Sequence, residues 1–202
     1  MSFASGLYWE ARYRQRGNSG AGSYGQLAQF KADFINKFMF DYNVKTVIEF
    51  GSGDGNQLSL LNVKDYLGFD VSETIVRHLK QKFNNDSSKR FMLMSEYAGQ
   101  QAELTLSLDV LFHLVEYDVF TLYMQRLFSS SSKFVIIYAS NFEAAPTSPH
   151  MVYRKFTTWV DANLPGWGLV GHIKNKYPFD DKDPNNTSIS DFFVYMKSPD
   201  RA

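Results

Sequence analysis

One stretch constrains this chain more than any other: Val44 to Asn62, reading VKTVIEFGSGDGNQLSLLN. A β-branched run at Val44, Thr46, Val47 and Ile48 passes through Glu49 and Phe50 into glycines at 51, 53 and 55. An apolar pattern then resumes at Leu58, Leu60 and Leu61. This order predicts a strand, a tight turn and a helix over 56–62. Lacking a Cβ, alternate glycines let the backbone adopt positive φ and lie close against a ligand at the strand end.

A second short apolar run, Tyr66-Leu67-Gly68-Phe69, ends in Asp70, and Val71-Ser72-Glu73 follows as a helix start. A carboxylate at the end of the second strand of a βαβ unit is placed to accept hydrogen bonds from both ribose hydroxyls. The unit therefore suits a nucleoside ligand. A dinucleotide oxidoreductase would read G-x-G-x-x-G, but the sixth position here is Asn56, and Glu49 precedes the turn. A carboxylate there sits badly beside a pyrophosphate and well beside an amino group and a sulfonium.

With these residues in view, the chain resembles the class I S-adenosylmethionine-dependent methyltransferases. Glu49-Phe50-Gly51-Ser52-Gly53-Asp54-Gly55-Asn56 is similar to the family's first motif and Gly68-Phe69-Asp70-Val71-Ser72 to its second. Leu106 to Leu114 (LSLDVLFHL) is similar to its fourth strand and the loop leaving it. The resemblance covers roughly residues 44 to 140 and implies S-adenosylmethionine as cofactor. It also implies an α/β, Rossmann-like, doubly wound and mostly parallel seven-stranded sheet with an antiparallel C-terminal strand pair. In it Glu49, Gly51, Ser52, Gly53 and Asp54 would hold the methionine part, and Asp70 with Val71 the ribose. Ser95 or Glu96, separated by one step of register, would meet the adenine, and Leu108 and Asp109 would border the reacting methyl. His113 is the candidate general base, since an imidazole titrates near working pH and can take the proton that a hydroxyl or amine loses on methylation. The motifs do not specify the acceptor.

Charge bears on the acceptor: lysine plus arginine equal aspartate plus glutamate at 21 each, so no global field draws nucleic acid or an anionic membrane. The expected partner is a small molecule or a sugar. Cysteine is absent, which excludes disulfides and thiolate metal sites, and the four histidines fall at no metal-ligand spacing. Interrupted apolar runs and an N-terminus with Glu10 and early arginines predict neither a membrane span nor a signal peptide, hence a cytoplasmic protein.

At 202 residues, 44% of them hydrophobic, the chain is expected to form one domain, a core over 44–202 with an N-terminal helical and glycine-rich cap over 1–43. The cap opens with an amphipathic segment, residues 3 to 16, and a loop, GNSGAGSYG (17–25), read as a lid or ligand contact that includes Tyr24. An amphipathic helix follows over 27–42. Downstream the pattern predicts a helix over 72–83 and strands over 90–94 and 103–108. It then predicts a helix over 119–128, a solvated serine turn at 129–132 and a buried strand over 133–140. A loop at 141–149 shapes the acceptor pocket, a helix spans 150–163, and strands at 169–174 and 190–197 end the chain. Asn141 and Tyr153, like Tyr24, are candidate substrate contacts. Two other functions fit the same fold: a regulatory module that binds the cofactor without turnover, and an aminopropyl transferase using Asp109 with Asp118 as paired acids.

Overall fold

A computed structural model describes residues 3–198. Its helices are α1 (Ser5–Arg14), α2 (Gly25–Asp41), α3 (Glu73–Lys82), α4 (Tyr117–Ser129) and α5 (Phe156–Asn163). Its strands are β1 (Thr46–Phe50), β2 (Asp65–Asp70), β3 (Lys89–Leu93), β4 (Ala102–Leu108), β5 (Ser131–Ala139), β6 (Trp167–Ile173) and β7 (Asp191–Lys197). The seven strands form one sheet in the order β3-β2-β1-β4-β5-β7-β6, with β7 antiparallel to both its neighbours and the remaining pairings parallel. The doubly wound sheet and its C-terminal antiparallel pair are as the sequence predicts.

Period-two alternation distributes the central strands between two cores. On β5, Phe134, Ile136 and Tyr138 face a layer that includes Ile35 and Phe38 of α2 and Val76 and Leu79 of α3. Val135, Ile137 and Ala139 face Phe120, Met124 and Phe128 of α4 and Val160 of α5. Both faces of β5 are covered, which is why its sequence is continuously apolar. The strand order reverses between β1 and β4, and a crevice opens at the carboxyl ends of these strands, as expected at a topological switch point.

Three predicted elements differ. Instead of a helix over 56–62 there is a single 3-10 turn, Leu58–Leu60. Asn36 of α2 captures the chain: its Nδ2 donates to the Leu60 carbonyl at 2.9 Å, and its Oδ1 accepts from the Asn62 amide at 2.8 Å. Those backbone groups are spent before a second turn can form, and a segment this short has little helical stability of its own. The serines at 129–132 are not a solvated turn. α4 runs almost directly into β5, Ser130 and Ser131 are buried, and the Ser131 hydroxyl donates to the Phe134 carbonyl at 2.6 Å. The last helix begins at Phe156 rather than His150, because the chain before it is stitched to the loop after β4. The Val152 amide donates to the Phe112 carbonyl at 2.8 Å, and the Arg154 guanidinium donates to the carbonyls of Leu114 at 2.6 Å and Val115 at 2.8 Å.

The N-terminal segment is the helix α1, laid across the carboxyl ends of the strands by a side-chain anchor near each end. The Glu10 carboxylate accepts from the Ser72 hydroxyl at 2.6 Å and the Thr74 hydroxyl at 2.7 Å, at the N-terminus of α3 where negative charge is stabilised. The Ser5 amide and hydroxyl both donate to the Glu116 carboxylate. Among the described residues no helix is long and apolar enough to cross a membrane.

Candidate active site

The floor of the crevice is the glycine turn. Gly51, Gly53 and Gly55 all have positive φ, and the Phe69 carbonyl accepts from the amides of both Gly51 and Ser52, which pins the turn to the end of β2. The Asp70 carboxylate braces it from the same side, accepting from the Gly53 amide at 3.0 Å and the Ser72 amide at 3.0 Å. Burial raises the Asp70 carboxyl to about 6, against these amide hydrogen bonds, which lower it.

The segment after the glycine turn makes only one 3-10 turn, so it does not present a helix N-terminus to the crevice. That segment therefore offers little of the positive dipole that a pyrophosphate needs, and four carboxylates line the pocket besides, on Glu49, Asp54, Asp70 and Asp109. Glu49 stands on β1 under the turn, 2% exposed, its Oε2 accepting from the Tyr66 hydroxyl at 2.5 Å. Burial raises its carboxyl to about 7, although the Tyr66 hydroxyl and the Lys31 ammonium pull the other way.

Lys31 is a charged residue of the site that sequence reading missed. It lies on α2 with its side chain 1% exposed, its Nζ 2.7 Å from Asp109 Oδ2 and 5.1 Å from the centre of the Tyr138 ring. Asp109, just past β4 with φ of 57°, also accepts from the Ser190 hydroxyl at 2.9 Å. A signal was present: Lys31 falls four residues after Leu27 and four before Ile35, in the middle of the apolar stripe of α2.

The roof is built from the cap. The loop over 17–25 folds onto the glycine turn, where the Ser19 amide and the Tyr24 hydroxyl each donate to Asp54 Oδ2 at 2.8 Å and Asn56 Nδ2 donates to the Ser23 carbonyl at 2.7 Å. Gly22 comes so close to Asp109 that a Cβ on it would stand 2.8 Å from Oδ2. From α1, Trp9 and Tyr13 close the cavity, and Trp9 meets His113 edge-on with ring centres 4.9 Å apart.

His113 ends the 3-10 turn Leu111–His113 after β4. Its Nδ1 lies 3.1 Å from the His150 carbonyl. A carbonyl only accepts, so the proton sits on Nδ1 and Nε2 keeps its lone pair. Burial lowers the imidazole to about 4, more than the His150 carbonyl raises it.

Ten of the sequence-predicted residues line one cavity: Glu49, Gly51, Ser52, Gly53, Asp54, Asp70, Val71, Leu108, Asp109 and His113. Five do not. Ser95 and Glu96 lie outside it and Met94 takes the place beside Val71, because the Glu96 carboxylate turns back to accept from the Leu93 amide at 2.7 Å. Tyr24 reaches the site only through Asp54. Asn141 is held by Thr157, with Nδ2 3.0 Å from Oγ1, and the Tyr153 hydroxyl lies 2.8 Å from that of Thr147. The loop carrying these last two residues backs the site through His150, whose ring stacks on Tyr8 at 4.7 Å. Besides Lys31, sequence reading did not place Trp9, Tyr13, Gln57, Tyr123 or Arg126, which approach through tertiary structure.

No protein-family model and no curated protein matches this sequence. Solved structures do match in fold. The N-methyltransferase NodS from Bradyrhizobium japonicum WM9, in complex with S-adenosyl-L-homocysteine, superposes with a TM-score of 0.71 at 10% identity, over 95% of this chain and 98% of that one. Magnesium protoporphyrin IX methyltransferase (ChlM) from Synechocystis PCC 6803, with bound SAH, gives 0.67 at 16% identity, over 95% and 97%. The methyltransferase domain of bacterial CtHen1-C gives 0.64 at 18% identity, over 84% and 97%. The chain has the class I methyltransferase fold.

Proposed function

We propose that this protein is an S-adenosylmethionine-dependent methyltransferase acting on an oxygen or nitrogen of a small-molecule or sugar acceptor. The observation that carries the reading is the cavity itself, at the carboxyl ends of β1, β2 and β4. It joins the glycine turn, Glu49 and Asp70 to buried polar atoms, Ser52 Oγ and Gln57 Oε1, that have no hydrogen-bond partner among the described residues. Buried polar groups are nearly always satisfied, so these atoms fit the polar end of a bound ligand. The cofactor supplies a methyl already activated on a sulfonium.

The chain's own task is to bind, align and exclude water. The turn at Gly51 to Gly55 lets the ligand approach the backbone, Asp70 accepts from the ribose hydroxyls, and Val71 and Met94 offer apolar surface to the adenine. Four carboxylates against Lys31 and Arg126 leave the cavity lining net acidic, which favours a cationic sulfur centre. Neutral His113 presents Nε2 as the acceptor for the proton that an acceptor hydroxyl or amine gives up, and Trp9 holds its ring in place. The closing helix α1 and the aromatic wall of Trp9 and Tyr13 favour a compact acceptor over a polymer. An aminopropyl transferase would need Asp109 and Asp118 to face one polyamine. Asp118 is exposed in the first turn of α4 and outside the cavity lining, while Asp109 is engaged by Lys31.

Calorimetric titration with S-adenosylmethionine and S-adenosylhomocysteine, with NAD and Asp70→Ala as controls, tests the cofactor. Micromolar binding of both sulfur ligands, weakened about tenfold or more by the substitution, is the expected result, since a hydrogen bond to a charged group contributes roughly 1.5–3 kcal/mol. A folded protein that binds neither would refute the reading. Acceptor screening follows, with His113→Ala as the catalytic control.

A further inference from the structure

We propose that Lys31 and Gln57 read the amino-acid end of the sulfur ligand, Lys31 taking its carboxylate and Gln57, beside Glu49, its ammonium. The inference rests on the cofactor reading above and adds what selects an intact zwitterion over a decarboxylated cofactor. Gln57 is 6% exposed, and its Nε2 donates to the Ala28 carbonyl at 3.1 Å. Because that carbonyl only accepts, the amide cannot be reversed, and Oε1 is left as a buried acceptor without a donor among the described residues. This part of the lining therefore calls for an N–H donor, and with the Glu49 carboxylate in the same lining an ammonium would answer both groups.

Lys31 supplies the opposite charge. An ammonium carries three donors, and Asp109 takes one. Ser52, 6% exposed in the same cavity lining, has a hydroxyl without a hydrogen-bond partner among the described residues. A lysine in a helical apolar stripe loses hydration, and one ion pair alone repays this poorly. A ligand carboxylate would add a second charge-assisted bond at the cavity wall.

Three ligands sharing the same nucleoside test the proposal by calorimetry: S-adenosylhomocysteine, its decarboxylated analogue and 5′-methylthioadenosine. The wild-type protein should bind the first at least tenfold more tightly than the second. In Lys31→Met that preference should fall to near one, with 5′-methylthioadenosine binding unchanged. Lys31→Arg, which keeps the charge, should retain most of the preference. Gln57→Leu should weaken the two amine-bearing ligands and spare 5′-methylthioadenosine. Equal weakening of all three ligands by Lys31→Met would make Lys31 merely structural and overturn the proposal, as would a wild-type protein indifferent to the carboxylate. Either result would leave the cofactor reading standing. Failure of all three to bind folded wild-type protein would remove both.

Discussion

Ser19 and Asp54 exchange hydrogen bonds: the Ser19 amide donates to Asp54 Oδ2 at 2.8 Å, and the Asp54 amide donates to Ser19 Oγ at 2.8 Å. A residue of the glycine-rich loop is thereby clamped to the middle of the glycine turn. Gly53 must stay bare for this to happen, because a Cβ on it would collide with the Ser19 hydroxyl. The loop and the turn form a single structural unit, and Asp54 holds it together.

Asp54→Ala removes the acceptor for the Ser19 amide, the Tyr24 hydroxyl and the Asn56 amide together. The expected cost is on the order of 2–4 kcal/mol, since bonds to a carboxylate are stronger than neutral ones and solvent re-satisfies those that become exposed. Exposed Arg16 lies three residues before Ser19, so trypsin should cut after it several-fold faster in the variant. Equal cleavage rates would show that the loop is held by something other than Asp54.

Glu49 gives the ligand-free protein a defined pH dependence. Its carboxyl is raised from 4.5 to about 7, so between these values the folded chain holds a proton that the unfolded chain has released. Stability therefore falls as pH rises through this window, by an amount on the order of 3 kcal/mol for a fully buried group. Glu49→Gln should remove this slope. Denaturant midpoints at pH 5 and pH 8 should differ by more in the wild type than in the variant, and the variant should be the more stable of the two at pH 8. Parallel pH profiles would show that Glu49 does not titrate in this range.

Much of the architecture is legible locally. The run Phe134 to Ala139 can only be a covered strand, and Glu49, Asp70 and Asp109 stand at strand ends because strand, turn and acid follow one another in sequence. Tertiary capture is harder to read. Asn36 halts the segment after Gly55 from another element, and the Glu96 carboxylate is used by its own turn. Lys31 stands out in the apolar stripe of α2, but its partner Asp109 is found only once α2 is laid against the sheet, and Trp9 and Tyr13 join the cavity because Glu10, Ser5 and the Tyr13–Ser19 hydrogen bond fasten α1 over it.

That fastening predicts a second opening motion. Glu10→Ala deletes the acceptor of the Ser72 and Thr74 hydroxyls, leaving α1 held by Ser5, by the Tyr13–Ser19 hydrogen bond and by aromatic packing. In a background with Trp159→Phe and Trp167→Phe, Trp9 is the sole indole. Its quenching by acrylamide should rise at least twofold in Glu10→Ala, and a saturating sulfur ligand should reverse part of the rise. Unchanged quenching would place the hold on α1 elsewhere.

The state of His113 can be measured without knowing the acceptor. Burial lowers its imidazole from 6.5 to about 4 against the His150 carbonyl, which raises it; the His150 ring and Arg12 act with burial and Asp109 opposes it. Between pH 6.5 and 4 the unfolded chain binds a proton that the folded chain refuses. This group's contribution to stability is full above 6.5 and is lost as pH falls through 4, by an amount on the order of 3 kcal/mol in all. Two-bond nitrogen–proton correlation spectra of histidine-labelled protein, assigned by loss of one set of signals in His113→Gln, should show a neutral ring protonated on Nδ1 from pH 8 down to about 5. A base already neutral throughout that range gives methyl transfer no acid limb near 6.5. A ring protonated on Nε2, or one titrating at 6 or above, would remove His113 as the proton acceptor, because its lone pair would then point at the His150 carbonyl or be charged when needed.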